Sequence, residues 1–590
     1  MGLAFTIDSP VKVARYGIAS VISIVEDKLI ESMRRYYYPV AGKTYQAISA
    51  KEDDYRAKRI TDYLNLVNSI VCGQVEKMRN EAFDAGTEIV KYFEMLPESS
   101  TVKQLYRRMT NTGNRREKEA LQAGLREQVI AGSIDVNLMT KLDKNNTGSN
   151  GQILEDGSDA VAALRGYANS SLQNSSVIFS AGLNPRLYNY LEKCRQFDAD
   201  ENGVFKKRVV IKVSDYRSAL VQGKYLAKKG IWVSEFRIES GLNCGGHAFA
   251  TEGFLMGPIL EDFRSKKQEL TDTLFELYNM AHIKNGRPVL QQAPALTISA
   301  QGGIGTAEED SFLHSYYGVA STGWGTPFLL VPEATTVDKA TLQLLGAAKK
   351  EDIVLSNNSP LGVRFHYLKN SSAEQLKNKR IQSGRPGSPC TEKHLVSDTE
   401  FTADPICTAS RQYQQLKIAQ LQQLQLPPNE YLEKLSAITA KECLCVGLSN
   451  AAAERYNTPF VKGRKEVNIC PGPNIAWFSG EIPLQQMLGH IYGRTNMIAV
   501  QGRPHMFIAE LELYIDYLKE ALEDYVGPAP KKEKYFLDFF QHLEEGIEYY
   551  RCLPGIAAGN PASFQQGLNR IQQQLRCMKA SFLRIACLPQ

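Results

Sequence analysis

No apolar run in this 590-residue chain reaches the ~18 residues a membrane-spanning helix needs, so a spanning protein is not expected. The opening Met1-Gly2-Leu3-Ala4-Phe5-Thr6-Ile7-Asp8 has no basic lead and no apolar core, so it does not read as a secretory leader. Gly2 alone is no case for myristoylation, because Phe5 and Thr6 suit a buried strand. Net charge is small for this length: +5, with an isoelectric point near 8.4. That excess gives no case for nucleic acid. The basic stretch Arg107, Arg108, Arg115, Arg116, Lys118 reads as a solvated helix face. Eleven scattered cysteines are no disulfide framework; reduced thiols in a cytoplasm fit them better. No internal repeat is visible. What remains, 43% hydrophobic and 23% charged residues, is ordinary for a globular protein with a large domain plus additions.

The chain alternates strands and helices in its first two thirds. Residues 3–7 and 17–24 read as two buried strands within a first segment, 1–49. From 50 to 130 the pattern is helical, with Ile60, Leu64, Val67 and Val71 at three-to-four spacing, and reads as an inserted helical subdomain. Strand-like runs resume at 134–139, 176–181, 208–213 and 231–239, with helices at 159–168, 216–228 and 257–280 between or after them. Two more runs, Ala295 to Ser299 and Tyr317 to Ala320, flank a helix at 307–316. Eight candidate strands spaced by helices argue for an α/β fold with parallel strands, and 131–345 is expected to complete a (β/α)8 barrel. Beyond it, 346–500 is loop-rich and carries cysteines, while 501–590 shows three apolar helical stripes that read as packing faces.

Two glycine segments, each following a strand-like run, are the densest signal: Gly302-Gly303-Ile304-Gly305 and Gly323-Trp324-Gly325-Thr326. Glycine lets backbone amides converge on an anion, and the last two strands of a barrel are where such a phosphate cup sits. A second signal is Cys244-Gly245-Gly246-His247 after the strand 231–239. His247 would then lie on the catalytic face, able to take or give a proton near neutral pH. Lys212 interrupts the apolar run 209–213 and needs an anion or a lumen partner; Asn137 sits mid-strand and its amide needs partners. Cys390, Cys407, Cys443, Cys445 and Cys470 match no standard Cys-x-x-Cys spacing, so buried free thiols are expected and no metal is assigned, although zinc or an iron–sulfur cluster stays open.

Four motifs in order resemble the nitronate monooxygenase (2-nitropropane dioxygenase-like) family of flavin barrels. Asp135-Val136-Asn137-Leu138 is similar to its Val-Asn strand, Ala181-Gly182-Leu183-Asn184-Pro185 to its Gly-Leu-Pro turn, and Cys244-Gly245-Gly246-His247 to its Ala-Gly-Gly-His. Gly318 to Ala334 resembles its last-strand motif without a gap, and the Cys-Leu-Cys at 443–445 is similar to a tail in some longer members. The resemblance covers about Ile134 to Ala334 and implies a TIM barrel binding FMN. Gly302, Gly303, Gly323, Gly325 and Thr326 would surround the phosphate; Asn137 and Lys212 would face the ring, with Glu239 among the cofactor-contacting residues. Gly245 and Gly246 would line the approach, and His247 would be the acid/base. The implied activity is oxidation of nitronates or nitroalkanes with O2. The alternatives are a flavin-dependent enoyl thioester reductase using NAD(P)H, or a flavin barrel kept as a scaffold. The chain departs from the family pattern at its N-terminus, at Trp324 and at Pro327.

Overall fold

The computed structural model describes residues 4–24, 26–140, 142–147, 151–245, 252–523, 525, 529–554 and 561–586. Seven strands form one sheet: β1 (Ser20–Ile24), β2 (Ile134–Leu138), β3 (Ser175–Phe179), β4 (Lys207–Val213), β5 (Val233–Glu239), β6 (Thr297–Gln301) and β7 (Ser321–Gly323). They lie side by side in chain order and every pair is parallel. Parallel neighbours require crossover connections, and helices supply them: α1 (Asp27–Val40) and α2 (Tyr55–Arg79) after β1, α3 (Asp159–Ala168) after β2, α4 (Tyr216–Ala227), α5 (Met256–Lys284) and α6 (Ala307–Tyr317) after β4, β5 and β6.

Side chains alternate across a strand, so each strand gives one row to the helices and one to the opposite face. On β5, Val233, Phe236 and Ile238 are buried, while Glu235, Arg237 and Glu239 face away from the helices. A register shift lets Val210 pair with Glu235 directly after Val209 pairs with Val233, leaving Ser234 as the extra residue. Such a bulge re-aims the residues beyond it, here the three charged ones. Arg237 on β5 acts electrostatically on Asp135 of β2, three strands away, so the sheet curls around this polar face.

The expected strand at 3–7 is not there. Ala4–Thr6 is a short 3-10 helix and Ser9–Val13 is helical. Pro10 suits a first helical turn, where its missing amide costs nothing, and that breaks the extended reading. This segment reaches the chain just beyond β7: Thr336 N donates to Phe5 O at 2.8 Å, and Lys12 Nζ donates to the carbonyls of Pro332 and Thr335 at 3.2 and 2.7 Å. Asp8 is buried and accepts from Thr336 Oγ1 at 2.6 Å, Tyr37 Oη at 2.7 Å and the Tyr456 hydroxyl.

Three further expectations shift. The apolar run Tyr317 to Ala320 ends α6 and turns at Gly318, a left-handed cap, so β7 occupies Ser321–Gly323, the start of the expected turn. Within the stretch read as loop-rich, Ile353–Ser356 pairs antiparallel with Phe365–Leu368, and Asn145–Thr147 likewise pairs with Ile153–Ser158. In the region read as an insertion, α2 packs on α1 and α3 and buries Ile60, Leu64 and Val67 in the core it shares with the sheet; the helices Glu88–Met95, Thr101–Asn111 and Arg115–Glu127 follow. At the far end, α7 (Met506–Glu523), α8 (Pro530–Cys552) and α9 (Pro561–Ala586) bury Phe507, Leu511, Phe540, Leu543, Leu568 and Ile571 in that same core. No helix among the described residues is long and apolar enough to cross a membrane.

Asp8→Ala leaves three hydroxyls short of an acceptor and Lys12 short of its counter-charge. A loss of about 3 kcal/mol is expected, read as a lowered midpoint in urea unfolding. An unchanged midpoint would show that this segment does not bind the two ends of the sheet together.

Candidate functional site

The polar face of the sheet carries two tiers of charge. In the lower tier, Arg237 pairs with Glu235 at 2.8 Å and donates to Ser299 Oγ at 3.3 Å. Asp135 accepts from Ser176 N at 2.9 Å. Burial pushes the Asp135 carboxyl up despite Arg237 beside it. In the upper tier, Lys212 Nζ lies 2.9 Å from Glu239 Oε1. That carboxylate also accepts from Asn243 Nδ2 at 3.0 Å and from the Gln301 amide. Burial alone would raise Glu239, but Lys212 and Arg237 outweigh it and hold it below the ordinary carboxylate value. Lys212 therefore has the anion its position demanded. On the same face Asn137 donates to Ser23 Oγ at 3.4 Å, while its buried Oδ1 has no partner.

Above these tiers three loops meet. Gly302 and Gly303 have φ of +108° and +80°, conformations that only glycine adopts without strain. A Cβ on Gly303 would come within 2.6 Å of Leu242, so the loop after β5 lies directly on this turn. Gly325 is tight for the same reason: a Cβ there would meet Cys244 Sγ at 2.6 Å. Gly245 N donates to Cys470 O at 2.9 Å. Gly323 closes β7, and Thr326 is buried in the short helix Gly325–Phe328. Among the described residues, no group accepts from the amides of Gly302, Gly303, Gly325 or Thr326. Gly246 and His247 lie outside the described residues.

The carboxyl-terminal third completes this region, and nothing local in the sequence announces it. Glu309, in the first turn of α6, accepts from Gly305 N at 2.9 Å and from Met506 N at 2.7 Å. Its counter-ion is Arg503, at 2.7 Å, with both side chains less than a tenth exposed. Arg503 also donates to Gly303 O at 2.6 Å and Asn474 Oδ1 at 2.9 Å, and Asn474 donates to Ile304 O at 2.9 Å. His490 Nε2 donates to Gly305 O at 2.9 Å. The first glycine turn is thus held by residues some 170 to 200 positions downstream.

Chain that follows β7 also holds residues on both sides of the segment that contains Gly246 and His247. His366 Nε2 donates to Gly241 O at 2.8 Å, and burial lowers that imidazole to about 4, which leaves it neutral. On the other flank Met256 N donates to Glu510 Oε2 at 3.0 Å and Gly257 N to Tyr550 Oη at 3.1 Å. Burial pushes Glu510 up to about 7.

The cysteines divide. Cys390, Cys407, Cys443 and Cys445 line one cavity, whereas Cys470 is buried beside Cys244. Next to that cavity His394 Nε2 lies 2.6 Å from Glu26, and Glu392 pairs with Lys28 at 2.8 Å. Glu26, Glu392 and His394 form a tight trio. Their charges are answered within the protein.

No protein-family model matches the chain, and no curated protein does. Among solved structures it is similar to the enoyl reductase domain of MlnA from the macrolactin biosynthesis cluster of Bacillus amyloliquefaciens. That alignment is 14% identical, covers 76% of this chain and 94% of the other, and has a TM-score of 0.32. A superposition this loose assigns neither fold nor function.

Arg503→Met strands the Glu309 carboxylate in the interior. The expected cost is about 3–5 kcal/mol, measured by chemical unfolding, since an uncompensated buried charge is left behind. Glu510 gives a pH signature of known sign. Its folded value near 7 exceeds the unfolded value near 4.5, so the folded state binds the extra proton and stability falls as pH rises between them. Glu510→Gln, neutral at every pH, should match the parent near pH 4.5 and exceed it at pH 8 by on the order of 2–4 kcal/mol. Equal stability at both pH values would show that Glu510 is not held protonated.

Proposed function

We propose that the chain is an FMN-dependent oxidoreductase of the nitronate monooxygenase type, acting on a small molecule at the carboxyl ends of its strands. The sheet would be the greater part of a (β/α)8-like barrel, its remaining position filled by the amino-terminal helical segment; the sequential order of seven parallel strands supports this. One observation carries the cofactor: the buried Asn137 Oδ1 without a partner shares a face with the Lys212–Glu239 pair, at whose end stand glycine turns with undirected amides. That donor set fits a phosphorylated ring system. Hydrogen-bond donors collect where a phosphate would lie, and a cation and an amide lie where a polar heterocycle would.

Gly302, Gly303, Gly325 and Thr326 would hold the phosphate, with Gly323 shaping the turn. Asn137 and Lys212 would face the ring, and Gly245 and Gly246 its open side. When bound, FMN supplies the two-electron chemistry that no side chain here possesses. Lys212 is held in place by Glu239, and Glu239 by Asn243 and Gln301, so the ammonium is oriented before any ligand arrives. A fixed cation stabilises negative charge developing beside it more than a solvated one does. His247 would move the proton at the substrate carbon.

The purified protein is expected to be yellow and to release FMN on denaturation. Lys212→Met should weaken FMN binding about tenfold, a difference of about 1.4 kcal/mol by fluorescence titration. A nitronate should drive oxygen uptake without a nicotinamide, and His247→Ala should abolish it. NADPH oxidation that depends on an enoyl thioester would move the assignment to the reductase. Colourless protein that takes up no added FMN would end the flavin reading.

A further inference from the structure

Four cysteines far apart in the sequence come together on the side of the molecule built by residues 346–500. Cys390 lies in the loop after the helix Ser372–Gln382, Cys407 just before the helix Arg411–Gln423, and Cys443 and Cys445 at the start of the helix Leu444–Arg455. All four line one small cavity, partly open to solvent, with Pro389, Thr391 and Ser410 beside them. Each thiol has a thiol neighbour. Cys390 interacts with Cys407, and Cys443 with Cys445. The two pairs face each other closely enough that Cys443 interacts electrostatically with both Cys390 and Cys407.

Buried free cysteines usually serve as small apolar residues, each packed among carbon. This arrangement differs. Three segments converge to place four sulfurs around one space, and a guanidinium stands beside one of them: Arg464 interacts with Cys443 and is itself paired with Glu466. A cation beside thiols favours their anionic, metal-binding form.

The spacing discriminates between centres. Tetrahedral zinc with Zn–S bonds of ~2.3 Å draws its four sulfurs to roughly 3.8 Å from one another. Among the described residues, no three of these sulfurs lie within 4.8 Å of one another; the one trio that does so is Glu26, Glu392 and His394. Four sulfurs around one cavity, spaced more widely than a single ion allows, instead suit a two-iron cluster, in which each iron takes two thiolates. The segments bearing the pairs also suit a shared ligand. Without one, the loops carrying Cys390 and Cys407 are joined through short backbone contacts, Ser388 N to Ala409 O and Arg411 N to Ser388 O, both at 3.0 Å.

We propose that Cys390, Cys407, Cys443 and Cys445 ligate an iron–sulfur cluster, the first two on one iron and the last two on the other. The site is separate from the glycine turns and does not depend on what binds there. The inference comes from convergence, since Cys443-Leu444-Cys445 by itself is an unremarkable spacing.

The test is full-length protein purified without oxygen, with iron, zinc and acid-labile sulfide measured per chain, before and after incubation with ferrous iron and sulfide. About two irons and two sulfides are expected, with an electron paramagnetic resonance signal on reduction by dithionite. Cys443→Ser and Cys407→Ser should lose most of that iron, whereas Cys72→Ser, at an exposed cysteine elsewhere, should keep it. Alkylation of the unmutated protein is a second readout that does not require the variants to fold. The four thiols should resist maleimide until a chelator is added. Iron at background after reconstitution, with all four thiols freely alkylated or joined as disulfides, would overturn the site. One zinc and no sulfide would overturn the cluster.

Discussion

The buried ion pair between Arg503 and Glu309 ties the molecule's two halves together. Two opposite charges removed from water are tolerated only when every remaining donor and acceptor is satisfied. Here Glu309 takes the amides of Gly305 and Met506, and Arg503 takes Gly303 O and Asn474 Oδ1. The requirement for satisfaction is what fixes the geometry. Loosening any one group would leave a charge underpaired, so the first glycine turn, the start of α6, residue 474 and the start of α7 are positioned as a unit.

That constraint gives the carboxyl-terminal region its role. α7, α8 and α9 carry apolar stripes, and those fill the core. Their polar residues act at the mouth of the sheet. Glu510 and Tyr550 reach the first residues of α5, and His542 Nδ1 donates to Glu252 O at 2.6 Å. With His366 on Gly241, the loop between β5 and α5 is held from both sides by chain that follows β7. Parallel sheets place their ligand sites at such mouths, where loops are free to vary while the strands are not.

Much of this was legible in the residues. β2 to β6 and their helices follow from apolar runs, and Asp159–Ala168 has the bounds its pattern announces. Lys212 called for an anion because a lone ammonium cannot sit among valines and isoleucine, and Glu239 answers it. Other features were not legible, for physical reasons. Phe5 to Ile7 look like strand because apolar character cannot distinguish a buried 3-10 turn from a short strand; Pro10 and the demand of Asp8 for hydroxyl partners decide it. Ser321–Gly323 is too short and too glycine-rich to show a period, yet it pairs with β6. Arg503 and Glu309 are ordinary charged residues until a fold places them together. The four cysteines that share a cavity stood out in the sequence, but they come from separate segments, so no spacing showed that they meet.

The contact between Asp8 and Tyr456 spans 448 positions. A ribosome adds residues from the amino end, so the Asp8 carboxylate has Tyr37 within reach early and waits some 300 to 450 positions more for Thr336 and Tyr456. The same order applies to the glycine turn at 302–305, which is left without Arg503 until 200 further positions have been added. Contacts this distant in sequence make assembly slow, because chain closure comes before any contact rewards it. The growing polypeptide therefore carries its strands without a finished mouth until α7 and α8 have been made.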